Sequence, residues 1–335
     1  MANSSELRAL VEPFGRPQRS QALLQLLLTF APYLCLAVAM LVLVSRGHVW
    51  MALALAVPAA AFLVRVFMVF HDCCHGSFFQ SRRANRLVGY AAGLLTLTPF
   101  EKWQQSHAEH HATVGDLDRR GQGDVWTLTV AEYLAAPRWK RLGYRIFRNP
   151  FLMFGIGPAF LFMLSYRWPS RGASRRERFG VHFTNAWIVA VLVTAYLTIG
   201  VRVLLVAQLP PLLLAATVGV WLFYVQHQYE DVYWARRPHW DPMKAALEGS
   251  SYYKLPRVLQ WFTANIGLHH IHHVQPRVPF YGLAECQATI PAFQAVPPLT
   301  FSRSLHSLRL RLVDESERRM VTWSEVEARH PVDGR

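Results

Sequence analysis

Four long apolar stretches separated by short polar turns dominate the pattern of this chain. The first runs from roughly Ala22 to Ser45 and the second from roughly Val49 to Phe70, with only Arg46-Gly47-His48 between them. The third covers roughly Phe183 to Gly200 and the fourth roughly Val203 to Val225, with Arg202 in the turn. Each is about 20 residues long, enough for a helix rising about 1.5 Å per residue to cross a hydrocarbon core of roughly 30 Å. The pattern predicts an all-α integral membrane protein with four transmembrane helices in two hairpins. Pro210-Pro211 predicts a kink in the fourth span. Two further apolar stretches, Leu87 to Phe100 and Phe151 to Tyr166, are too short to cross and read as interfacial or re-entrant helices. Ser302 to Arg319 mixes leucine, arginine and acidic residues and predicts a surface helix. The first apolar run is too long for a signal-peptide core, so it reads as a retained span.

Charge sets the orientation. The 335-residue chain has a net charge of +14 with 52% hydrophobic residues. Its arginines flank apolar spans rather than forming a nucleic-acid surface, so the basic balance points to membrane topology and anionic lipid, with no nucleic-acid partner. Arg82, Arg83, Arg86, Arg138, Lys140, Arg141, Arg145, Arg148, Arg171, Arg175, Arg176 and Arg178 all fall between the second and third spans. The two hairpin turns carry one arginine each. The middle segment and both termini are therefore expected on the cytoplasmic side. The expected organisation is a cytoplasmic N-terminal tail (1–20), a membrane domain with a cytoplasmic helical cap (21–300) and a cytoplasmic C-terminal tail (301–335).

That orientation gathers the chemistry. Nine of the fifteen histidines lie in three short boxes: His71-Asp-Cys-Cys-His75, His107-Ala-Glu-His110-His111, and His269-His270-Ile-His272-His273. On a helix, positions i, i+3 and i+4 share a face, so each box offers two or three imidazoles in one direction. Imidazole suits zinc, copper, iron and nickel, and so many ligands exceed what one ion takes, which predicts a di-metal site. With box one directly after the second span, box two in the middle segment and box three after the fourth span, all three fall on one membrane face. If both short apolar stretches crossed singly, box two would leave the others. His227, just past the fourth span, is expected as a further ligand. His270 is offset from the face shared by His269, His272 and His273 and reads as an outer partner. Asp72, Glu109, Glu230 and Asp231 adjoin the ligands and are candidates to orient them through their second ring nitrogen. Asn265, one turn before His269, is a candidate to bond a metal-bound water. Arg65, inside the second span near its cytoplasmic end, is expected to snorkel to the headgroups. The four cysteines show no CxxC spacing, which excludes zinc-ribbon and iron–sulfur frameworks; Cys73 and Cys74 read as packing residues.

The phrases HDCCHGSFF, HAEHH, VQHQYED and NIGLHHIHH followed by PRVPFY resemble the membrane fatty acid desaturase family, in particular its acyl-lipid delta-12/omega-3-like branch in bacteria and cyanobacteria. The resemblance covers roughly residues 60 to 290; the second cysteine of box one stands where glycine is commoner. It implies two non-haem irons held by His71, His75, His107, His110, His111, His227, His269, His272 and His273. It also implies O₂ as co-substrate, removal of two hydrogens from a lipid-linked acyl chain to leave a cis double bond, and residence in a bacterial inner membrane. The chain has no Cys₄ ferredoxin pattern, HPGG haem loop or GxGxxG fingerprint. Electrons are thus expected from a separate ferredoxin or cytochrome b5-type protein. Acyl hydroxylases, epoxygenases and carotenoid oxygenases share the same boxes and are the rival reading. A histidine-lined metal transporter is disfavoured because the spans carry no carboxylate and no histidine near their centres. A zinc hydrolase needs fewer histidines.

Overall fold

The structure is a computed structural model and describes residues 4–121 and 123–330. A short helix α1 (Ser4–Val11) precedes α2 (Arg19–Ser45) and α3 (Val49–His75). Among the described residues, four helices are long and apolar enough to cross a membrane: α2, α3, α9 (Arg175–Leu197) and α10 (Val201–His227). Over half of the apolar window of α3 is buried (56%), against 17% for α2 and for α10, so α3 is the central post. Ala52, Ala56, Ala59 and Ala60 on α3 are nearly inaccessible and let neighbouring helices approach closely. α2 and α10 pack on α3 and on each other.

Three spans run further than their apolar stretches. α3 continues through box one to His75 because nothing between Phe70 and Gly76 breaks a helix. It ends where Gly76 turns left-handed (φ 68°) and caps the carbonyls of Asp72 and Cys73. α9 begins eight residues before Phe183, capped by Ser174, whose side chain accepts from Glu177 N. α10 reaches His227 and remains one helix across Pro210-Pro211.

Leu87 to Phe100 divides into the end of α4 (Arg82–Leu95) and the start of α5 (Phe100–Thr113). The second short stretch is irregular: π-helix over Leu152–Ile156, a single turn α8 (Gly157–Ala159), and π-helix again over Phe160–Leu164. With α7 (Arg138–Phe147) it forms a pair bent by 61°, so the described residues hold four candidate spans, or five if that pair counts as one. Between α5 and α7 lie β1 (Leu128–Thr129) and α6 (Val130–Ala135).

The expectation of an all-α chain needs correcting. The C-terminal third holds α11 (Pro242–Glu248), β2 (Tyr252–Lys254), α12 (Arg257–Phe262), α13 (His269–Val274), α14 (Phe280–Thr289) and β3 (Pro298–Thr300), where β2 pairs β3 in parallel. The predicted surface helix over Ser302–Arg319 is helical only at its start, as one α-helical turn (Phe301–Ser304) and a 3-10 turn (Leu305–Leu308); it then gives way to β4 (Leu310–Asp314) and β5 (Arg319–Thr322), with β1 completing a β1-β4-β5 sheet. Leu310-Arg311-Leu312 alternates with period two: the leucines are buried and the arginine is not, which suits a strand. Asp314 closes the β4–β5 turn by accepting from Ser316 N at 2.9 Å and Glu317 N at 3.2 Å.

Two arginines also behave unexpectedly. Arg148 does not decorate the cytoplasmic surface; it is 1% exposed. Its Nη2 donates to Gln228 Oε1 (3.0 Å), the Leu310 carbonyl (3.1 Å) and Tyr224 OH (3.3 Å), joining the end of α7 to α10 and to β4. Arg65 does not snorkel but turns inward and is 2% exposed.

Candidate metal centre

The histidines ride on the closing turns of helices. His71 and His75 end α3, His107, His110 and His111 end α5, His227 ends α10, and α13 carries box three. C-terminal helix ends carry partial negative charge, which favours a cation nearby. Two groups result: His71, His75, His107 and His272, then His110, His227, His269 and His273. Within each group one ring nitrogen per residue lies within 4.8 Å of all the others. His111 sits between them, its Nε2 at 3.1 Å from His107 Nε2 and 3.0 Å from His272 Nε2, its ring stacked on His273 at 4.2 Å.

The hydrogen bonds of the second ring nitrogen fix the tautomers. His110 Nδ1 lies 2.5 Å from Asp124 Oδ1, and His227 Nδ1 lies 2.9 Å from the Gly249 carbonyl. Both partners are acceptors, so both Nδ1 atoms carry the proton and both Nε2 atoms are bare. Those bare lone pairs face each other at 3.1 Å. His71 has the same arrangement, with Nδ1 on Asp72 Oδ1 at 3.1 Å and Nε2 at 3.1 Å from His107 Nε2. His75 Nε2 is buried without a hydrogen-bond partner. Opposed lone pairs repel unless a cation lies between them. An ion bound by imidazole at about 2.1 Å holds neighbouring cis nitrogens about 3.0 Å apart, and the nitrogen spacing here matches. The donor set therefore fits two imidazole-bound ions.

Burial keeps these rings in the ligand form. At His107, His111, His269, His272 and His273, burial first and neighbouring imidazoles second hold the pKa well below the ordinary histidine range, so the rings stay neutral at physiological pH.

Of the expected outer partners, only Asp72 meets a clustered histidine; its second oxygen accepts from Phe280 N at 2.7 Å. Glu109 is half-buried, with Gln105 as its side-chain neighbour at 3.5 Å. Glu230 is exposed, 3.9 Å from Arg319, and Asp231 is also exposed. Both follow the end of α10, where the chain has turned away from the site. His270 packs on Phe293 and meets Gln287 Oε1 at 3.1 Å, on the opposite side of α13. Asn265 takes a left-handed φ of 57° and lines a different cavity. Sequence reasoning missed Asp124 and the Gly249 carbonyl. Asp124 had a faint signal, since it ends a glycine-containing loop after box two. Gly123 there has φ 68°, and a Cβ on it would stand 2.7 Å from the Ser106 carbonyl oxygen, so only glycine lets Asp124 reach His110.

Beside the histidines lies a cavity of about 1000 Å³. His71, His107, His269 and Trp103 line one part of it. Leu152, Ile156 and Phe160 of the π-helical segment and Leu212, Ala215 and Gly219 of α10 line an apolar part, and Lys102, Glu109, Asp124, Arg171 and Glu177 are among its polar lining. Phe160 and Ile156 of this irregular segment are also solvent-exposed. No Cβ-sized obstacle lies within 4 Å of Gly219.

Helices able to span a bilayer, two histidine groups able to bind metal, and a hydrocarbon-lined cavity against them define a membrane metalloprotein class. The sequence model of the fatty acid desaturase family matches residues 48–302. A Bacillus subtilis fatty acid desaturase is 44% identical over 321 residues, covering 96% of this chain and 91% of that one. An sn-1 oleoyl-lipid 12-desaturase of Synechocystis is 28% identical over 66% of this chain and 63% of its own length. An endoplasmic-reticulum omega-3 fatty acid desaturase of Vigna radiata is 30% identical over 66% and 59%. The chain belongs to the fatty acid desaturase family and is an oxidoreductase.

Proposed function

We propose that this protein is an acyl-lipid desaturase that uses two irons, O₂ and an external electron donor to place a cis double bond in a membrane-linked acyl chain. The observation that carries this reading is the pair of histidine groups, with opposed nitrogens, beside a largely apolar cavity of about 1000 Å³. The oleoyl-lipid and omega-3 activities named for the relatives support an unsaturated or saturated glycerolipid chain as substrate.

The ligands proposed are His71, His75, His107 and His272 for one ion and His110, His227, His269 and His273 for the other, with His111 between them. Asp72, Asp124 and the Gly249 carbonyl hold ligand rings by their Nδ1 protons. When bound, the irons supply the oxidising power to remove hydrogen from an unactivated methylene. The chain's own residues do the rest. Trp103, stacked on His107 at 4.2 Å, and Phe223, 5.1 Å from His110, wall the reacting position from water. The imidazoles of His107, His111, His269, His272 and His273, held neutral by burial, keep their lone pairs free for the metal. The apolar walls fix the chain's depth and hence the carbons presented.

The arrangement proposed in the bilayer is two hairpins, α2–α3 and α9–α10, with α5, α13 and the small sheets as a cytoplasmic cap. Residues 21–300 are the catalytic unit, flanked by 1–20 and 301–335 on the cytoplasmic side of a bacterial inner membrane. The basic face of α7, with Arg138, Lys140, Arg141 and Arg145, suits an acidic ferredoxin or a cytochrome b5-type donor. The test is expression in a bacterial host with a ferredoxin system, read as fatty-acid profile by gas chromatography–mass spectrometry with double-bond derivatisation. A new unsaturated acid is the expected product; hydroxy or epoxy acids in its place refute desaturation.

A further inference from the structure

α3 carries a charge that the histidine site does not use. The buried Arg65 donates from Nε to Thr29 Oγ1 at 3.2 Å, from Nη2 to Gln25 Oε1 at 2.5 Å, and from Nη1 to the Trp261 carbonyl. Its guanidinium carbon lies 4.1 Å from the Trp261 ring centroid and 5.2 Å from that of Phe280. Every one of these partners is neutral, and three of the five guanidinium N–H donors are engaged. No carboxylate pairs with Arg65 among the described residues. A cation inside a membrane span needs a counter-charge and by default marks a functional site.

The space for that counter-charge is present. A cavity of about 490 Å³ is lined by Arg65, Gln21, Gln25, Asn265, Trp261 and, at its rim, Glu285. It is distinct from the apolar cavity, which Val64, Phe67, Met68 and His71 face from the same helix. Gln25 lies only about 9 Å along α2 from its first residue, Arg19, so the cavity sits at the headgroup end of the span rather than mid-bilayer.

We propose that this cavity binds the phosphate of a bilayer phospholipid headgroup, with Arg65 as counter-charge and the amides of Gln21 and Asn265 as further donors. The guanidinium fork matches the spacing of phosphate oxygens. The exposed Glu285 carboxylate selects between sources. A lipid phosphodiester brings a single negative charge, whereas free phosphate carries more than one at neutral pH and is opposed more strongly by Glu285. Occupancy is relayed to the metal centre by one connection: Phe280, whose ring lies over Arg65, gives its N–H to the Asp72 carboxylate that also holds His71.

Native mass spectrometry of the full-length protein purified in detergent reads this site, with phosphatidylglycerol, a diacylglycerol with the same chains, and inorganic phosphate as probes. Wild type retains one phosphatidylglycerol and binds the diacylglycerol at least about tenfold more weakly, the effect of losing charge-assisted hydrogen bonds. Millimolar inorganic phosphate leaves the lipid in place. Arg65→Gln weakens retention about tenfold or more. If that variant fails to fold, the Gln21→Leu/Asn265→Leu pair, which leaves Arg65 packed, weakens it severalfold. Equal binding of diacylglycerol, displacement by inorganic phosphate, or unchanged retention in the folded double variant overturns the proposal.

Discussion

Asp124 offers the sharpest test of the metal centre, because it acts on a ligand without being one. Its carboxylate accepts the Nδ1 proton of His110 at 2.5 Å, with the two side chains 7% and 0% exposed, so solvent and salt screen the contact little. Asp124→Asn keeps the shape and an acceptor but removes the charge. Charge-assisted hydrogen bonds contribute about 1.5–3 kcal/mol against about 0.5–1.5 for neutral ones, so the variant loses roughly 1–1.5 kcal/mol, about tenfold in metal affinity. Asp124→Leu removes the acceptor, strands a buried N–H and frees His110 to change tautomer, which extends the loss to about a hundredfold. The assay is a chelator titration of the purified protein, with residual iron read by mass spectrometry and folding checked by circular dichroism. As chelator rises, the Leu variant should release metal first, the Asn variant next and wild type last, each with wild-type helicity. If both folded variants hold iron as tightly as wild type, the tautomer argument for bare, opposed Nε2 atoms is wrong.

Three further outcomes are expected. His272→Ala and His110→Ala, one from each histidine group, should each abolish desaturation and lower bound iron towards one ion per chain, while the protein stays in the membrane fraction; metal analysis of membrane-extracted protein checks this. Gly219→Phe fills open space about 12 Å along α10 from His227. It should shift the product towards shorter chains or move the double bond, at unchanged iron content, as gas chromatography–mass spectrometry reads. Arg148→Met takes from buried Gln228 Oε1 its 3.0 Å donor and from the Leu310 carbonyl one of several, at a cost of roughly 1–3 kcal/mol, and should lower the thermal midpoint of the purified protein.

The sequence revealed the spans and the histidine boxes for the same reason: both are local patterns. An apolar run of span length and histidines spaced three or four apart need no knowledge of which segments meet. His227 was legible because it leaves its span at the depth where His71 leaves another. Asp124 and the Gly249 carbonyl were not legible, because each reaches its histidine across a loop whose path depends on tertiary packing. The carboxylates that adjoin ligands in sequence failed for a related cause. Glu230 and Asp231 lie beyond the end of α10, where neighbours along the chain no longer share a direction. Arg65 and Arg148 look like membrane-edge charges by position, yet both are turned inward by acceptors from distant segments. The β4 strand was missed because a few residues of leucine–arginine alternation were outweighed by their helix-forming types.

The opposed lone pairs have a consequence for the life of the protein in the cell. Without metal, the assembled cage sets unprotonated nitrogens against one another, and folding gathers them despite that repulsion. Metal binding relieves it, so the folded state gains stability with the logarithm of the free metal ion above the dissociation constant. Scarcity of that ion then lowers the amount of enzyme as well as its activity, because the empty chain opens more often to proteolysis. The abundance of the chain thereby becomes a gauge of metal supply, set by the thermodynamics of one buried cluster.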